Sequence, residues 1–213
     1  MTTESMTVHQ ALCDAKVSAK KIEKVIGNLS AVAVRKQNGS KVHGMDEQSF
    51  SDEAKKGFQS AQDLLRRHLA LKRAINQYNA KTVINVAGTD YTVAQALYMM
   101  QYGLGEKKKL IQHLTKQLAN AEKDMAKANG TALDEAAERN AQIQFGNEKS
   151  TKSSKDYLEF ITNYKEQNQM VMVDPLGIRK VIDTLQGEVD EFESKVDAAI
   201  QVANATNTVT IEY

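Results

Sequence analysis

Residues 74–86 (AINQYNAKTVINV) and 199–211 (AIQVANATNTVTI) are two versions of one segment, aligned with one residue slipped in after the Asn-Ala pair of the second copy. A second motif is duplicated with them: TVHQAL at 7–12 matches TVAQAL at 92–97. A duplicated chain needs the same burial twice, and the economical solution sets the copies against each other about a pseudo-twofold axis. Each copy runs capped helix, connection, helix, Asn-Ala turn and short strand. The first repeat is 7–86 and the second 92–211, both expected within a single domain covering the chain's 213 residues.

The helices announce themselves by apolar residues at alternating steps of three and four. Val8, Leu12, Ala15, Ala19, Ile22, Ile26, Leu29 and Ala33 form one stripe; Ala61, Leu64, His68, Leu71, Ile75 and Tyr78 form a second. A third, Val93, Leu97, Met100, Leu104, Lys107, Ile111, Leu114, Leu118, Ala121 and Met125, is interrupted only by Lys107. The fourth, Ile178, Ile182, Leu185, Val189, Phe192, Val196, Ala199 and Ala203, implies a helix of about 28 residues and about 42 Å. Stripes of this spacing pack against partners, so the expected fold is mainly α. It is antiparallel coiled-coil or four-helix-bundle-like, with two pseudo-symmetric hairpins joined by a small β-ribbon.

Start signals fit these limits. Thr7 with Gln10 and Thr92 with Gln95 each read as a capping box. Ser51-Asp52-Glu53 is the expected start of the second helix, and Asp174 before Pro175 the N-cap of the last. Residues 82–86 and 208–211 alternate and are β-branched, so they are expected as strands, paired with each other across the pseudo-twofold. The connections break the symmetry. Residues 35–50 are a polar loop with a short strand expected at 40–43, whereas 127–173 is an insertion with helices expected at 131–145 and 156–170.

Composition narrows the function classes. With 28 Lys and Arg against 27 Asp and Glu, no broad field for DNA, RNA or an acidic membrane exists, and any anion site is local. One cysteine, Cys13, excludes an internal disulfide framework and a cysteine zinc cage, which suits a cytoplasmic setting. No stretch is apolar enough for a membrane span. His9, His43, His68 and His113 lack metal-ligand spacing, and no nucleophilic dyad is legible, so neither metal, cofactor nor catalysis is expected. His68 falls on an apolar stripe, where a hydrogen-bonded interior histidine is expected.

Three blocks carry a resemblance: the capped first helix, 64–97 (LLRRHLALKRAINQYNAKTVINVAGTDYTVAQAL), and 174–211 from DPLGI to NATNTVTI. They make the chain similar to the septicolysin-like family of bacterial and phage proteins across about half its length. The resemblance implies an all-helical, coiled-coil-rich homo-oligomer with no established catalytic residues to carry over; for a phage-encoded chain the setting is the host cytoplasm. The insertion at 127–173 departs from shorter members.

Basic residues are the local departure from an even surface. Arg66, Arg67, Lys72 and Arg73 cluster on the second helix, and Lys107 interrupts an apolar stripe, where a charge requires a partner. Meeting across the bundle or between subunits, they would line a phosphate pocket, with Tyr78 or Tyr91 stacking on a base and Arg35, Lys36 and Arg179 contributing from helix ends. The expected function is non-enzymatic capture of a small nucleotide-derived immune signal that counteracts host defence. The alternative is a structural scaffold, such as a phage assembly component, with no small-molecule ligand.

Overall fold

A computed structural model describes residues 2–213, and the protein is mainly helical with three two-stranded antiparallel sheets. In order the elements are β1 (Thr3–Thr7), α1 (Val8–Asn28), β2 (Lys41–Val42), β3 (Met45–Asp46), α2 (Glu47–Lys81), β4 (Val83–Val86) and β5 (Thr89–Thr92). There follow α3 (Val93–Tyr98), a π-helical turn (Met99–Gly103), α4 (Leu104–Ala128), α5 (Thr131–Phe145), α6 (Lys149–Lys152), α7 (Lys155–Asn168), α8 (Ile178–Thr206) and β6 (Thr208–Glu212). The chain divides into two compact units, one of residues 1–102 with 191–213 and one of residues 103–190.

The first unit holds both copies of the repeated strand. Contrary to expectation β4 and β6 do not pair. β4 pairs with β5, Ile84 opposite Tyr91, while β6 pairs with β1, Val209 opposite Met6. The end of each repeat is therefore bonded to the start of the other. Two ribbons result, each entering a Thr-capped helix: the first helical amides, of Val8 and Val93, donate to the carbonyls of Asn207 and Thr82. This equates Thr82 with Asn207, so the repeats align without the slipped residue. Ile84 and Val86 then match Val209 and Ile211, all four buried, with their neighbours outside. For β4, pairing with β5 needs only the Ala87-Gly88 turn, where both residues have positive φ (55° and 80°), and so closes a far shorter loop than pairing with β6.

Both capping boxes form. Thr7 and Thr92 side chains accept from the Gln10 and Gln95 amides, and each glutamine side chain accepts from its threonine's amide. Two other starts differ. α2 begins at Glu47, capped by Asp46, whose carboxylate accepts from the Ser49 amide and hydroxyl and is thereby held below the usual carboxylate range. Asp174 does accept from the Ile178 amide, but Pro175 lies in a turn ahead of the helix and Gly177 (φ 64°) makes the bend, so α8 starts three residues later than Pro175.

α1 and α2 pack antiparallel. The α2 stripe is buried or half-buried as expected, but α1 is rotated: Val8, Ala11, Ala15, Ser18 and Ile22 face inward, whereas Leu12 and Ile26 face out. Ser18 lies on this inward face, where its buried hydroxyl meets His68 Nδ1 at 2.7 Å and donates to the Ala15 carbonyl. His68 is thus the hydrogen-bonded interior histidine expected. α3 shows the same rotation, with Val93 and Ala96 buried and Leu97 and Met100 out. The π turn then absorbs one residue, and from Leu104 through Ile111 the expected stripe holds.

In the second unit, Lys107 and Arg179 on α4 and α8 pair with Glu188 and Glu122, which sets those segments antiparallel. α5 matches the expected 131–145, and α7 runs Lys155–Asn168. They pack through Phe145, edge-on to Tyr157 and Phe160. A clasp from Asn129 to the Met170 backbone, bonding both its amide and carbonyl, closes the segment.

Candidate functional site

The cationic cluster on α2 is largely consumed by the fold. Arg67 bridges Glu4 on β1 and Asp14 on α1, with N–O distances of 2.7 and 2.8 Å, and Tyr213 donates its hydroxyl to the same Glu4. The Arg67 hydrogen bonds, then that of Tyr213, hold Glu4 below the usual glutamate range; Glu4 and Asp14 in turn raise the already high Arg67 pKa, and Glu4 raises the Tyr213 phenol. This is a half-buried clasp joining both chain ends to the first hairpin. Arg66 pairs with Asp63 one turn away, and Arg35 holds Glu47 while donating to three carbonyls of its own loop.

Lys107 belongs to a different unit from the α2 cluster, and its charge is answered by Glu188 at 2.6 Å. Arg179 is likewise committed to Glu122. Tyr78 is only 8% exposed, so its ring is core and cannot stack on a base; burial raises its phenol pKa. Its hydroxyl has no partner of good geometry, the neighbouring Asn207 amide turning to the Ala203 carbonyl. Tyr91 packs edge-on to Phe192 at 5.5 Å, an interior role. Lys36, Lys72 and Arg73 remain without an ion-pair partner among the described residues. Of these, Arg73 lines a shallow cleft of about 320 Å³ between α2 and β6, shared with Gln77, Thr210 and Glu212.

A larger cavity, about 420 Å³, opens where α2 outruns α1. Phe50 continues the α2 stripe there but meets His43 of the β2–β3 turn at 6.1 Å instead of a helix. Glu53, Asn28, Ser30, His43 and Ser60 line it together with apolar side chains, and with a carboxylate present and neither lysine nor arginine it is unsuited to phosphate. Among the described residues no three His, Cys, Asp or Glu side chains converge as a metal set, and no helix is long and apolar enough to cross a membrane.

The sequence stripes concealed a different feature. In an antiparallel helix pair, like flanks face like flanks. The residues just before the inward positions, Asp14 on α1 and Arg67 on α2, form the salt-bridged flank. Those just after them form the opposite flank: Leu12, Ala19 and Ile26 on α1, Phe58, Leu65 and Lys72 on α2. Here Leu12, Ile26, Phe58 and Leu65 keep 39 to 53% of their surface in solvent. The hairpin thus has one charged side and one apolar side. The rotation of α1, which turns Leu12 and Ile26 outward, was invisible in the sequence because Ser18 looked like a break in the stripe.

No protein-family model, curated protein or solved structure matches the chain.

Proposed function

We propose that the protein is a non-catalytic, self-assembling helical scaffold whose copies join through apolar helix flanks in a coiled-coil or bundle-like manner. The observation that carries this reading is the apolar flank of the α1–α2 pair, a stripe two helices wide that the chain leaves in solvent. Monomeric proteins keep such contiguous patches small, and rows of large apolar side chains at heptad spacing are what helix association uses. The chain's net charge of +1 sets no repulsive field against assembly of identical copies. The resemblance to septicolysin-like proteins implies a helical oligomer too, which agrees with this reading. Light scattering on the full chain tests it: a mass of two or more chains is expected at micromolar concentration, and a single-chain mass throughout overturns it.

Capture of a small nucleotide is the second reading, and Arg73 is the residue that favours it. It lines an open cleft with Gln77 and Thr210 and is in no ion pair among the described residues, although Glu212 lines the same cleft. Equilibrium dialysis of the full chain against cyclic dinucleotides and cyclic ADP-ribose is the test. Retention that is lost in Arg73→Ala supports capture, and no retention leaves the scaffold.

A further inference from the structure

The scaffold reading leaves open how two copies meet, and the spacing of the apolar flank answers it. On α2 the flank reads Phe58, Leu65, Lys72, each seven residues from the next; on α1 it reads Leu12, Ala19, Ile26 at the same interval. The hairpin is antiparallel, with Ser18 against His68 and the Leu29 side chain reaching Gly57, so Ala19 and Leu65 stand level. Ile26 and Phe58 share the layer on one side of them, and Leu12 and Lys72 share the layer on the other. The stripe therefore has a small-plus-large layer at its centre and an apolar layer at one end. At its other end the apolar residue is accompanied by a cation.

Resting on the scaffold reading, we infer that this flank is an isologous dimer interface, with the twofold axis passing through the Ala19–Leu65 layer. A twofold at that point superimposes the central layer on its own copy. It sets Phe58 opposite the partner's Lys72, and Ile26 opposite the partner's Leu12, because each pair is equidistant from the centre. The match is chemical as well as positional. Lys72 lacks an ion-pair partner among the described residues of its own chain, and an ammonium on an aliphatic stem both covers an aromatic ring and is attracted by its face. Both Phe58–Lys72 contacts form at once, as an isologous interface requires. Ala19 at the centre allows close approach, and Leu65 fills the space it leaves. A register displaced by one heptad sets Lys72 against Ser51 and Phe58 against Leu65, or Lys72 against Leu65 and Phe58 against Asn79, and in either case both ring–ammonium contacts are lost. A twofold running along the helices would instead set Lys72 over the partner's Leu12 and Phe58 over the partner's Ile26, which gives the ammonium no ring to cover.

Cross-linking reads the axis directly. In a Cys13→Ser background, Leu65→Cys places identical thiols next to a twofold, within reach of a disulfide, which requires Cα atoms about 4.4–6.8 Å apart. Mild oxidation should yield a covalent dimer on a non-reducing gel. Phe58→Cys alone and Lys72→Cys alone should not cross-link, whereas a mixture of the two should. Leu65→Glu should retain its helical circular dichroism and raise the dimer dissociation constant at least tenfold. If light scattering finds an oligomer that Leu65→Glu does not weaken and Leu65→Cys does not trap, the flank is wrong and the scaffold stands. If cross-linking occurs for Phe58→Cys alone, the register is wrong. A single chain at every concentration defeats both this interface and the function on which it rests.

Discussion

Arg67 shows how one side chain can be claimed by the fold against its sequence reading. Four basic residues within 66–73 resemble an anion site, yet Arg67 spends its fork on Glu4 and Asp14 and Arg66 on Asp63. Replacing Arg67 by methionine keeps the stem and removes the charge. It should cost about 1–2 kcal/mol, below the full worth of charge-assisted bonds because the pair is partly screened, as measured by urea unfolding. The pH dependence has a definite sign. Glu4 has a lowered pKa in the folded state, so its contribution is complete above the unfolded value of about 4.3 and fades as pH falls through the lower folded value. The gap in melting temperature between the wild-type protein and Glu4→Gln should therefore be constant near neutrality and close below about pH 4. A gap that persists in strong acid would mean the carboxylate's charge is not what Arg67 and Tyr213 hold.

At the scale of elements, the caps were legible and the strand partners were not. Thr-x-x-Gln before an apolar run is a local signal, and both instances form as read. Thr7→Ala and Thr92→Ala should each cost about 1 kcal/mol in chemical denaturation, and nearly equally, since the two boxes have the same bonds. Alternation at 82–86 and 208–211 identified strands, but pairing is a long-range choice decided by which edge is nearest. β5 and β1 were hidden because threonine, aspartate, serine and glutamate carry little alternation. The π turn was equally hidden: it moves the buried face from Ala96 to Leu104, eight residues on instead of seven. Deleting Met100 should restore a seven-residue interval and a regular helix, with unchanged far-ultraviolet circular dichroism and a loss under about 1 kcal/mol. A large loss of helical signal would show that the wide turn is required by its surroundings.

For the whole molecule, the duplication and the three-four stripes determined by themselves that the chain is mainly helical, where most helices run and that two halves share one plan. Those are properties of short segments, set by periodicity, capping and the β-branched residues after each Asn-Ala turn. The faces were decided by tertiary structure alone. Ala11 turns inward and Leu12 outward on a helix whose buried Ser18 meets His68 fifty residues away, and that orientation places an apolar row in water. The same holds for charge, since a lysine or arginine reads alike in sequence whether a carboxylate from a distant strand meets it or not. Glu4 and Arg67 are brought together by β1 lying along β6 and by α2 packing on β6. Local signals are written within a few residues, but partners are chosen by burial summed over the whole chain.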